Sequence, residues 1–344
     1  MLRGDSELAT AKRGSWFVNL FRERSVQIAL VIWAACGAAI FPLSHGTLPF
    51  NRPTLEGVAF RPQVYVAIFG WLYALIFMAV TYALTRRRTI PDMAGRAPNA
   101  VMAMRETLAL WIYGAIVMAC GQVIGRRMFG EGIGLHLNGS LFGMTRMATP
   151  REVWLWAIYN SILLAAVPYL VFRARGYSRE ALNLKSANLR NDTLVIIVVL
   201  AMETAFELLG SKIFALTGHQ ILVGGALSLL VHLLGTGLPV MIFIYSILMP
   251  RYMRLTRSVA ATTLLGAASY AAMHMFEYWT VYDTAPHSEL SVIFILLTFV
   301  TPGLVKSYLT VRTGNAWVHL WGFHAIAPHV TSDTPMIVEI FGIS

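Results

Sequence analysis

Long uncharged stretches alternate with short arginine-bearing segments along the whole chain, and each stretch approaches the ~20 residues needed to cross a hydrocarbon core. Reading apolar windows predicts nine spans, at 26 to 45, 63 to 85, 107 to 125, 153 to 172, 193 to 216, 221 to 249, 258 to 280, 289 to 310 and 314 to 331. The expected fold is therefore all-α, a polytopic transmembrane helix bundle with short loops. The sixth stretch is too long for one straight crossing and contains Gly235-Thr-Gly-Leu-Pro239. Proline removes a backbone donor there and the glycines loosen the helix, so a kink or re-entrant break is expected. Near the start, Ser15-Trp-Phe-Val-Asn-Leu-Phe21 reads as an aromatic-belt anchor or as a segment lying flat in the headgroup layer.

Composition supports the membrane reading. Of the 344 residues 57% are apolar and 13% charged, and the mean hydropathy is +0.62, far from a soluble average. The net charge of +10 raises nucleic acid as a partner. The basic residues instead cluster at span ends, where anionic lipid headgroups favour them, so membrane lipid is the expected partner and nucleic acid is not. Cys36 and Cys120 both fall in apolar runs, which supports neither a disulfide framework nor a cysteine metal knuckle. The first 25 residues are polar and lead into a full-length span without a small-residue cleavage pattern, so the N-terminus is expected to be retained.

Lysine and arginine set the orientation. Nineteen lie in the segments before span one and after spans two, four, six and eight, among them Arg88, Arg96, Arg175, Arg251 and Arg312. Six lie on the opposite side: Arg52, Arg61, Arg126, Arg127, Arg146 and Arg151. This asymmetry predicts a multi-pass protein of a bacterial-type inner membrane with its N-terminus cytoplasmic and its C-terminus non-cytoplasmic.

An ionisable side chain costs ~2.5 to 3.5 kcal/mol inside a membrane on insertion scales, so each one needs a partner or a purpose. Glu203, Glu207, Lys212, His232, His274, Glu277, Lys306, His319, His324 and His329 are such residues, and most lie after residue 230. Glu203 and Glu207, four apart, point the same way on a helix and are expected not to ionise together. They serve either as a general base or metal ligands, or as hydrogen-bonding groups to a neighbouring span. Lys212 reads as a snorkelling end residue. His274 and Glu277 share a helical face, with Tyr278 and Trp279 beyond, and such a pair can orient an imidazole or bind a metal. His319 and His324 diverge by about 140° on a regular helix and are not expected to face one site. HExxH, GxSxG, zinc-knuckle spacing and phosphate loops are absent.

The stretch Gly303-Leu-Val-Lys-Ser-Tyr-Leu-Thr-Val-Arg-Thr-Gly-Asn-Ala-Trp317 with His324, the segment Tyr270-Ala-Ala-Met-His274, and the helix from Leu238-Pro239 to Met249-Pro250 stand in order over about 240 to 330. Together they resemble the CAAX-protease and bacteriocin-processing (CPBP, Abi-type) intramembrane protease superfamily. The matched features are its Thr-Gly-Ser/Asn-x-Trp turn followed by HxxxN, its FxxxH and its EExxxR helix. The resemblance implies peptide hydrolysis in the bilayer, with glutamates activating water and His274 and His324 assisting. It divides the chain into a cytoplasmic segment 1–25, N-terminal helices 26–216, a CPBP-like core 217–335 and a tail 336–344. This sequence departs from the pattern: Val240, Met241 and Tyr245 stand where the glutamates and arginine are expected, and Pro328 replaces the asparagine.

Two readings follow. One is a non-catalytic or altered member that binds a transmembrane-helix or lipidated peptide partner. The other is an active hydrolase in which Glu203, Glu207 or Glu277 has become the general base, with His274 and His324 as its catalytic partners. A third is a His/Glu metal or haem site at the outer ends of spans seven and nine. The sequence names no cofactor and leaves the metal open.

Overall fold

The computed structural model describes residues 22–50, 58–129, 149–209, 211–277 and 279–344; the aromatic segment 15–21 and Tyr278 lie outside them. Every regular element described is helical. The long helices are α1 (Arg24–Ser44), α2 (Phe60–Thr85), α3 (Ala100–Phe129), α4 (Pro150–Ala174), α5 (Leu189–Glu207), α6 (Gly218–Thr256), α7 (Val259–Ala272) and α8 (Ala285–Thr313). A broken C-terminal run follows: α9 (Ala316–His319), π-helical segments Leu320–His324 and Ala327–Ser332, and α10 (Thr334–Phe341).

Side chains at several helix starts satisfy backbone donors that the helix itself leaves unpaired. Thr149 with Glu152 and Thr217 with Gln220 form reciprocal capping boxes on α4 and α6. Asn188, Ser258 and Thr284 cap α5, α7 and α8. Gly314 ends α8 at φ +62°, a left-handed conformation that glycine adopts without Cβ strain.

Among the described residues, six helices are long and apolar enough to cross a membrane: Arg24–Ser44, Phe60–Thr85, Ala100–Gly125, Pro150–Ala174, Gly218–Thr256 and Ala285–Thr313. The other three predicted stretches differ from simple spans. α5 carries Arg190, Asp192, Glu203 and Glu207, and α7 ends at Ala272, well before the predicted 280. The last predicted stretch is divided between α9 and the two π-helical segments. The expected break at Gly235–Pro239 is instead a π-helical widening, Leu233–Gly237, inside a continuous α6. A π turn lets the helix absorb Pro239 without a break, and such turns are where helices kink. Asn160 of α4 donates to the Gly235 carbonyl at 2.9 Å, and Trp156 lies so close to Gly235 that a Cβ there would collide with its ring.

Contacts between distant segments define the two ends of the bundle. At one end Ser258 donates to Glu23, Arg312 to Thr85, Arg88 to the Thr313 carbonyl and Arg96 to the Gly314 carbonyl. At the other, Phe50 packs on Trp279 and Phe294, Ser211 donates to the Thr331 carbonyl and Gln220 to the Ile343 carbonyl. α7 and α8 pack through small residues. A Cβ on Gly303 would sit 2.8 Å from Ala267 Cα, and one on Gly266 would collide with the Ser307 side chain of α8, so the glycines let these two helices approach as helices packed in lipid do.

Candidate functional site

The middle of α6, the end of α7, α8 and the broken C-terminal run enclose a polar interior. Tyr270, at 4% exposure, is its hub. Its carbonyl accepts from His274 Nδ1 at 2.7 Å, and its ring lies 4.5 Å from the His274 ring and 6.0 Å from the His324 ring. Lys306 Nζ stands 3.7 Å over the same ring, a cation–π contact worth ~2 kcal/mol or more when desolvated. Phe299 stacks on His274 at 3.8 Å and lies edge-on to Tyr270 at 6.2 Å. His274 and His324, both expected at one site, are thus buried against one tyrosine.

His274 and Glu277 do not share a helical face, because α7 ends at Ala272 and the pair sits in the turn that follows. They remain adjacent, with Nε2 3.9 Å from Glu277 Oε1. The expected divergence of His319 and His324 is also corrected. Leu320–His324 is π-helical and the Ala325 amide donates to the Leu320 carbonyl, so residues five apart fall on one face and the two rings lie 6.3 Å apart. His319 also contacts the Tyr245 ring at 4.0 Å and Thr310 Oγ1 at 3.3 Å.

From His324 the imidazoles continue to a second centre. The His329 ring is 5.5 Å from that of His324 and stacks on the His232 ring at 4.2 Å, only 8° from parallel. Both turn a nitrogen to Asp333 Oδ2: His329 Nδ1 at 2.8 Å and His232 Nε2 at 3.1 Å. The ligand atoms of this histidine pair and aspartate all lie within 4.8 Å of one another, and all three residues are buried. Trp156 closes the site edge-on to His232 at 5.7 Å.

Glu203 and Glu207 are received separately. Tyr73 of α2 donates to Glu203 and Ser332 donates to Glu207, so each carboxylate meets a hydroxyl on a different element. Lys212 opens the short 3-10 turn Lys212–Ala215 beyond the end of α5.

The Thr313-Gly314-Asn315 turn is an architectural lock. Asn315 caps the Trp317 amide and donates to Asp192 Oδ2 at 2.9 Å, while Asp192 accepts from Arg88 at 2.5 Å and from Ser186 at 2.7 Å. Arg96 bridges Asn183 Oδ1 and the Gly314 carbonyl, and burial pushes its guanidinium below its ordinary pKa. Beside the lock, Arg251 of α6 pairs with Glu106 of α3 at 2.6 Å and lies over the Phe172 and Tyr177 rings at 4.5 and 4.9 Å.

Sequence reasoning missed Glu106, Asp192 and Asp333. The first two sit at the edges of apolar windows beside arginines, where charge is unremarkable, and Asp333 lies just past the last window. The i,i+4 spacing of His329 and Asp333 was the available signal. Comparison with protein-family models, curated proteins and solved structures finds no match for this chain.

Proposed function

We propose that this chain is a nine-pass inner-membrane protein, N-terminus inside and C-terminus outside, whose core from 217 to 335 is CPBP-like and binds a transmembrane-helix or lipidated partner without cleaving it. One observation carries the reading: the segment Met241–Leu248, at the place of the family's catalytic glutamates, has only buried, uncharged side chains. Water activation in that family needs a carboxylate there. Glu203 and Glu207 stand on α5, a different element from His274's turn, with hydroxyl donors of their own. The paired ends of the bundle support nine passes, since the basic segments counted as cytoplasmic, around Arg88, Arg96, Arg175, Arg251 and Arg312, meet at one end.

A second reading has its own support. Glu277 Oε1 lies 3.9 Å from His274 Nε2 with both side chains buried, a separation that a small shift or one water would turn into a base and its partner.

Purified protein in proteoliposomes, offered a transmembrane peptide and a prenylated peptide, separates the two. The expected result is association without new peptide termini, unchanged in Glu203→Gln, Glu207→Gln and Glu277→Gln. Cleavage by the natural chain that falls ~10² to 10⁴-fold in one Gln variant, at unchanged abundance, would overturn the proposal and identify the base.

A further inference from the structure

The cluster of His232, His329 and Asp333 poses a question of protons that its hydrogen bonds leave open. His232 Nδ1 lies 2.8 Å from the Ser228 carbonyl, which only accepts, so the proton of a neutral imidazole is on Nδ1. Nε2 then presents a lone pair to Asp333 Oδ2 at 3.1 Å, acceptor against acceptor. His329 Nδ1 approaches the same oxygen at 2.8 Å. Asp333 Oδ1 and His329 Nε2 have no hydrogen-bond partner among the described residues, nor has either nitrogen of His324 beside them. Glu207 adds a carboxylate held by Ser332, the chain neighbour of Asp333. Buried lone pairs that converge in this way are costly unless something positive lies between them.

We propose that His232 Nε2, His329 Nδ1 and the Asp333 carboxylate bind a divalent first-row transition-metal ion, with zinc the natural fit. Imidazole and carboxylate together suit such ions, and two histidines with one acid form a familiar three-ligand set that leaves a coordination position open. Ligand bonds of 2.0 to 2.2 Å place neighbouring ligand atoms roughly 3.3 Å apart in a tetrahedron. His232 Nε2 and His329 Nδ1 lie 3.1 and 2.8 Å from Asp333 Oδ2, close to that spacing, and because an imidazole donates in its ring plane, one of the two stacked rings turns out of the stack when both nitrogens take one ion. The Ser228 carbonyl is the outer partner that fixes the His232 tautomer and aims Nε2 inward. His324, 2% exposed and 5.5 Å from His329 ring to ring, stands at the open position to act directly or through water. Both ligand segments adjoin π-helical turns, Leu233–Gly237 and Ala327–Ser332, an irregularity frequent at functional sites.

The inference is independent of partner binding, and its test contains no peptide. The purified full chain in lipid nanodiscs is stripped with chelator, confirmed helical by circular dichroism and titrated with Co2+. One equivalent is expected, with visible ligand-field absorption that Zn2+ abolishes. X-ray absorption of the Zn2+-loaded natural chain should give a shell of two imidazoles and oxygen. His232→Gln and Asp333→Asn should each weaken Co2+ binding by more than the roughly 10- to 100-fold that follows loss of an outer partner, while His274→Gln binds normally. A folded natural chain that takes up no Co2+ would overturn the site in favour of a proton shared between His232 and Asp333. A metal shell without imidazole, or binding lost in His274→Gln but kept in His232→Gln, would overturn it equally.

Discussion

Helices α1 and α6 are both long and apolar, yet only 11% of an 18-residue apolar stretch of α1 is buried in the bundle, against 67% for α6. Hydropathy is blind to this difference. α1 turns Ile28 and Val31 outward, as a helix bathed in lipid does, while α6 uses its apolar side chains to pack against α3, α4, α7 and α9. The consequence appears in what each region shelters. α5, α7 and α9, which are too charged or too short to qualify as spans by composition, carry Glu203, Tyr270 and His319 into the interior that α6 helps to close. α7, at 14 residues, is about 21 Å long against a hydrocarbon core of ~30 Å, so a passage through the membrane would depend on neighbours rather than on its own length.

The contrast can be broken most severely at Arg251. Its guanidinium is 0% exposed and pairs with Glu106 at 2%. Arg251→Gln removes the fully buried partner of Glu106 and leaves it only the part-exposed Arg175 and the Tyr177 hydroxyl, so a loss of about 3 kcal/mol, the low end for a broken buried pair, is expected in detergent unfolding, together with a fall in membrane abundance. Unchanged stability would place this end of the bundle in water.

A smaller loss is expected where the core is packed rather than charged. Gly303→Ala drives a methyl group against the Ala267 backbone and should cost about 1 to 3 kcal/mol. On the lipid-facing side, Val31→Ala, at a residue 69% exposed, should stay within about 0.5 kcal/mol in the same assay. Equal effects from the two substitutions would mean that α1 is covered by something, and the comparison with α6 would fail.

The all-helical fold and the apolar windows were legible because hydropathy over about 20 residues is a strong, local signal. What was not legible depends on long-range pairing or on helix type. The 3.6-residue period separated His319 from His324, but a π-helical turn has a wider period and reunites them. Glu203 and Glu207 read as a pair from spacing alone. Tyr73, which receives the first, is 130 residues away, and Ser332, which receives the second, is 125. The Thr-Gly-Asn turn stood out in the sequence as part of a family resemblance. Its work in the structure is to tie α8 to the loops around Arg88, Arg96 and Asp192. His232 stands in the sequence as one of ten intramembrane ionisable residues, and the fold brings it to His329 and Asp333.

The central claim is that α5, α7 and the run from 316 to 332 traverse the membrane although composition qualifies six other helices among the described residues. Dual topology reporters, one after Ser344 and one in the 86 to 99 loop, test it most directly. Nine passes put the two on opposite sides, the loop cytoplasmic and the C-terminus outside. Both reporters on the cytoplasmic side would mean an even number of crossings, and at least one of these sheltered elements would not span.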